Sequence, residues 1–135
     1  MTDYIDPSRE NWQAFKDLPR GTPIHMLNLI KFHELAQYPA DHPDHSKGVT
    51  GREAYRKYAA GFQAVALQLG AKMVWQGNLE CVVTGPPGVW DEAFVMGYPE
   101  AKAFLAMVMD DGYKTEVVAH RSAAVKDSRL IRFSG

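Results

Sequence analysis

A ferredoxin-like α+β sandwich is the fold class predicted by this 135-residue chain, and three observations carry it. The order of elements is a short helix, then strand, helix, strand, strand, helix and strand, the split βαβ arrangement. Helical segments show a continuous apolar stripe at a spacing of three and four residues, whereas the strands alternate at a spacing of two. The strands also carry large apolar side chains on both faces. Two crossover helices cover one face of a four-stranded antiparallel sheet, so the other face would expose more than the roughly few hundred Å² that a soluble monomer tolerates. A homodimer with two sheets packed face to face is therefore expected. The alternative is a monomer with its N-terminal helix over the open face.

Asp6-Pro7 offers an N-cap and a first helical residue to a segment whose Trp12, Phe15 and Leu18 share a face, and Leu18-Pro19-Arg20-Gly21 stops it. Ile24 to Phe32 reads as a strand buried in its middle on both faces, with Ile24, Met26, Asn28, Ile30 and Phe32 on one side. Gln37 to Val49 turns to Pro, Asp, His, Ser and Gly and is expected to be a long surface loop. Thr50-Gly51-Arg52-Glu53 has capping-box spacing, and Tyr55, Tyr58, Phe62, Val65, Ala66 and Leu69 follow as one apolar stripe closed by Gly70. Lys72 to Thr84 predicts a strand bulged at Gly77-Asn78, connected through Gly85-Pro86-Pro87-Gly88 to a strand over Trp90 to Gly97. Pro99 suits a first helical position before Ala101, Phe104, Leu105 and Val108. Asp111 is expected to cap a further helix from about Gly112 to Arg121, and Val125 to Phe133 gives the last strand.

The length predicts one domain over residues 1–135. Fifteen basic and sixteen acidic residues leave the chain near neutral, which gives no electrostatic reason to expect nucleic acid or an anionic membrane as partner. The N-terminal MTDYIDPSRENW lacks the regions of a signal peptide, and no apolar run approaches the ~20 residues of a membrane span, so a cytoplasmic protein is expected. Cys81, between apolar neighbours in a predicted strand, reads as a buried, inert thiol.

Two groups of residues are candidates for a site. Tyr113 and His120 are seven residues apart and share a face if the segment is a regular α-helix. With Arg121 they would supply a phenol donor, an acid-base imidazole and a cationic clamp for a carboxylate or enolate. The alternative is a helix edge, with His120 bonded to a carbonyl and Arg121 paired with a carboxylate such as Glu116. Asn28, amid apolar neighbours, must find partners for its amide, and Tyr55 and Tyr58 are the natural suppliers, with Trp75 as an aromatic wall. Such a set is either a small ligand pocket or a satisfied core amide with the tyrosine hydroxyls at the surface. His33, His42 and His45 with Asp41 and Asp44 resemble metal ligands, but Pro39 and Pro43 forbid the helix that would align them, and no metal or cofactor is expected.

The segments PIHMLNLIKF, REAYRKYA, WDEAFVMGYPEAKAFLAM and YKTEVVAHRSAAVKDSRLIRF resemble the domain of unknown function 1330 family of the dimeric α+β barrel superfamily, over roughly Thr22 to Phe133. The resemblance implies a small bacterial dimer with no established reaction. Relatives sharing the barrel include cofactor-independent monooxygenases, haem-degrading enzymes and lactone isomerases, a likeness at the level of fold. Three functions from different classes follow: a cofactor-independent enzyme using His120 and Arg121, a non-catalytic binding module using the same pocket, and a structural dimer without a site.

Overall fold

The computed structural model describes residues 3–135, so the first two of the expected domain 1–135 lie outside the described residues. In chain order the elements are α1 (Arg9–Asp17), β1 (Ile24–Phe32), α2 (Gly51–Gln68), β2 (Lys72–Asn78), β3 (Glu92–Tyr98), α3 (Ala101–Met109), a π-helical turn (Tyr113–Val117), α4 (Val118–Ala124) and β4 (Val125–Ser134). The four strands form one antiparallel sheet in the order β2-β3-β1-β4, the expected ferredoxin-like α+β topology, and the sheet does not close on itself. No helix among the described residues is long and apolar enough to cross a membrane.

Local chemistry fixes the helix ends. The α2 capping box is complete: Thr50 Oγ1 accepts from the Glu53 N–H, and the Glu53 carboxylate accepts from the Thr50 N–H. Gly70 follows the C-cap Leu69 with φ +78°, a left-handed conformation that favours glycine. At α1 the cap is Ser8, whose Oγ accepts from the Asn11 N–H; Asp6-Pro7 lies ahead of the helix, with Asp6 in a bend. Pro99 stands two residues before Ala101, and Glu100 occupies the cap of α3. Asp110, rather than Asp111, takes the free amide of the next segment, accepting from the Tyr113 N–H at 3.0 Å.

Strand β2 is shorter than its apolar pattern suggests. Its last residue, Asn78, pairs with Glu92, the first residue of β3, so Leu79 to Thr84 have no strand opposite them and leave the sheet. Cys81 is consequently exposed in a loop, contrary to the buried thiol expected. The bulge falls between Met73 and Trp75 instead of at Gly77-Asn78.

Register separates the faces of the sheet. Met26 opposes Met96 and Arg132, and Asn28 opposes Phe94 and Leu130, on the side that the helices cover. On the other side Trp75, Val95, Leu27 and Ile131 form a continuous row, and His25 beside Phe133 begins the next. Val74, Trp75, Ile131 and Phe133 are 56%, 52%, 40% and 50% exposed. Helix α1 does not shield this row. Its Trp12 and Phe15 rings pack on Phe104 of α3, and Arg132 on the helix side donates to the Phe15 and Pro19 carbonyls.

Candidate functional site

A cavity of about 1110 Å³ lies between the covered face of the sheet, the helices and the N-terminal segment. That is slightly above the range for small-molecule sites, about 300–1,000 Å³. Met26 and Phe94 form part of its floor, Phe62, Phe104 and Met107 an apolar wall, and Asn28, Tyr58, Tyr113 and Arg121 are among its polar groups.

The π-helical turn places Tyr113. Bonding between residues five apart widens the backbone there, and Gly61 of α2 makes room for it: a Cβ on Gly61 would stand 2.7 Å from Val117 Cγ2. This close approach sets the Tyr113 hydroxyl 3.0 Å from that of Tyr58. Both tyrosines are buried. Burial pushes the Tyr58 phenol well above its ordinary value of 10.0, the Tyr113 and Tyr55 phenols add to this, and Arg121 opposes it. The phenol therefore stays neutral at physiological pH. Two hydroxyls sharing one hydrogen bond leave one proton free to donate onward.

Asn28 is satisfied by its own strand, with Nδ2 donating to the Met26 carbonyl at 3.2 Å, and not by Tyr55 or Tyr58. Its carbonyl oxygen and second N–H remain to face the cavity. Arg121, with its side chain 13% exposed, donates to the Ile5 carbonyl at 2.7 Å and to Ser128 Oγ at 3.3 Å, in place of the anticipated Glu116. Tyr4 is held to the same strand, its N–H donating to Asp127 and its carbonyl accepting from Ser128 Oγ. The N-terminal segment thus closes one side of the cavity.

Three anticipated site residues lie elsewhere. The π-helical turn breaks the regular seven-residue relation, so His120 does not share the cavity with Tyr113. It turns toward the 37–49 loop, where Nδ1 is 2.6 Å from the Tyr38 hydroxyl. Burial lowers its pKa below the ordinary 6.5, with His42 and Lys57 acting in the same direction and Asp44 against them. Trp75 stands in the open-face row and lines no part of the cavity. Tyr55 packs behind Tyr58, between it and Phe32. Sequence reading had not pointed to Ser128 or Arg132, although the alternation in Ser128-Arg129-Leu130-Ile131-Arg132 carries both toward the covered face.

Donor atoms of His42, Asp44 and His120 lie within 4.8 Å of one another. Their existing bonds oppose a metal. His42 Nδ1 accepts from the Asp44 N–H, which leaves the proton on Nε2, and the Asp44 oxygens are taken by Lys47 at 3.0 Å and Lys57 at 2.9 Å. The cluster ties the loop to α2 and α4.

No family model matches the chain, and no curated relative matches it. Among solved structures, it is similar to the RPA0582 protein of unknown function from Rhodopseudomonas palustris, with 42% identity and TM-score 0.86 over 99% of this chain and 98% of that one. The methylated form of RPA0582 gives 43% identity and TM-score 0.89 over 100% and 96%. A dimeric protein of unknown function with a ferredoxin-like fold from Bacteroides fragilis aligns at TM-score 0.51 with 8% identity, over 87% and 100%. SnoaB, a cofactor-independent oxygenase from Streptomyces nogalater, aligns at TM-score 0.50 with 12% identity, over 84% and 93%. These last two likenesses concern the fold alone. With more than two-fifths of its residues shared along essentially the whole length of both chains, this chain belongs to the same family as the RPA0582 protein, with a ferredoxin-like α+β fold.

Proposed function

We propose that this protein is a homodimeric small-molecule binder, with its site in the cavity between sheet and helices and its partner on the open face of the sheet. The carrying observation is the cavity of about 1110 Å³, with an apolar wall and with Asn28, Tyr58, Tyr113 and Arg121 among its polar groups. Polar groups converging beside an apolar wall are what orients a ligand whose affinity comes from burial. The dimer rests on the open face, where the large apolar side chains of Trp75, Ile131 and Phe133 are 52%, 40% and 50% exposed. The quoted sequence segments support membership of the domain of unknown function 1330 family, as one cytoplasmic domain over residues 1–135.

The test is a melting-temperature screen of small aromatic and aliphatic metabolites. A ligand at 100 times its Kd stabilises the fold by about 2.7 kcal/mol. Replacing Val108, which lines the cavity, with Trp narrows it and should reduce the shift in a folded protein. A screen without shifts, or a shift left unchanged by Val108→Trp, refutes the reading.

A second reading, catalysis without a cofactor, is motivated by the oxygenase activity named for SnoaB, which shares the fold. On this reading Arg121 and the Tyr58–Tyr113 pair would steady an anion. His120 stands outside it, since its imidazole is bonded to Tyr38 away from the cavity. Oxygen uptake or product formation with a bound ligand would favour this reading; a ligand recovered unchanged after prolonged incubation would favour the binder.

A further inference from the structure

We propose that the ligand of this cavity is an apolar molecule bearing a single carboxylate, held at the guanidinium of Arg121; this rests on the cavity being a ligand site. The charges facing the cavity are unbalanced. Arg9, Arg121, Arg129 and Arg132 line it, and Asp6 is the one acidic residue among the lining residues described. This excess is local, because the chain as a whole carries a formal charge of -1.

The arginines differ in what already occupies them. Arg129 is paired with Asp127 at 2.8 Å. Arg132 spends its two terminal nitrogens on the carbonyls of Phe15 and Pro19. Arg121, its side chain 13% exposed, has only a long ion pair, to Asp6 at 3.9 Å, and Asp6 is 73% exposed. Its two described hydrogen bonds go to neutral oxygens, the Ile5 carbonyl and Ser128 Oγ. A guanidinium has five N–H donors, so beside the long, exposed Asp6 pairing it keeps donors that these bonds do not use. A carboxylate satisfies both needs with two parallel hydrogen bonds.

Further groups fit the same head. The Tyr58–Tyr113 pair holds a proton that can be donated onward, and Asn28 has a second N–H not committed to Met26. The wall formed by Met26, Phe62, Phe94 and Phe104 is apolar and suits an aliphatic or aromatic body. A cationic ligand would meet four arginines.

Calorimetric titration of the intact protein with decanoate and 2-naphthoate, each beside the alcohol and the ammonium compound of the same skeleton, tests this. The wild-type protein should bind at least one carboxylate about tenfold or more tighter than its alcohol. Arg121→Gln should erase the difference between that carboxylate and its alcohol, and Arg121→Lys should keep part of the preference. Alcohols or ammonium compounds that bind wild type as tightly as the carboxylates overturn the proposal, and do so even if the Gln variant does not fold. A preference that survives Arg121→Gln also overturns it. Failure of all six compounds to bind, together with a metabolite screen without shifts, overturns the cavity reading beneath it.

Discussion

The hydroxyl pair of Tyr58 and Tyr113 gives a prediction whose size follows from the geometry. The two oxygens are 3.0 Å apart, and the residues are 6% and 8% exposed. Tyr58→Phe removes one hydroxyl and leaves the other without its partner, at a cost of roughly 1–3 kcal/mol, whereas removing both oxygens leaves no orphan. Each single variant should therefore lose about 2 kcal/mol, and Tyr58→Phe/Tyr113→Phe about 1 kcal/mol, a coupling of roughly 3 kcal/mol at the upper end of contacting pairs. For 135 residues the unfolding entropy is about 0.28 kcal/mol/K, so 1 kcal/mol moves Tm by about 3.5 °C. Calorimetry at one fixed protein concentration should show Tm falling by about 7 °C in either single variant and by about 3–4 °C in the double. Strictly additive losses in the double variant would refute the paired, water-poor arrangement.

Other expectations concern packing and acid. Gly61→Ala places a methyl group against the branched Val117 side chain, so the π-helical turn must shift; a loss of about 1–3 kcal/mol in urea unfolding is expected, with weaker ligand binding through displaced Tyr113. Hydrogen bonds from Lys57 and then Lys47 hold the Asp44 carboxyl down at about 2. Its stabilisation is thus complete above the ordinary 3.8 and is lost as pH falls from there through about 2; Asp44→Asn should flatten this part of the stability profile. His120 is lowered from 6.5, so its protonation opposes folding: stability is full above 6.5 and declines as pH falls below it. An imidazole titration followed by NMR should find a midpoint under 6.5, and His120→Ala should loosen the 37–49 loop to proteolysis while ligand affinity is retained.

Legibility in the sequence followed the range of the interactions. Thr50 and Glu53 fix the start of α2 three residues apart, and Gly70 ends it, so local pattern sufficed there. The topology was also legible, because alternation and helical stripes mark their own elements. Strand ends were not: β2 stops where β3 begins across the sheet, which leaves Cys81 outside although its neighbours are apolar. The candidate site was legible in part. Asn28, Tyr58, Tyr113 and Arg121 all reach the cavity, and His120 was misplaced because a π-helical turn, admitted by the absent side chain of Gly61, replaces the regular helix assumed for Tyr113 to Arg121. The N-terminal strap arises from contacts more than 110 residues apart in sequence, Tyr4 with Asp127 and Arg121 with Ile5, which no periodicity announces.

Sedimentation velocity at micromolar concentration addresses the central claim, that a second copy closes the apolar face bearing Leu27, Trp75, Val95 and Ile131. One species of twice the 15.1 kDa chain mass is predicted, dissociating when Ile131 is changed to Asp. A wild-type particle of 15.1 kDa, unchanged on concentration, would contradict it.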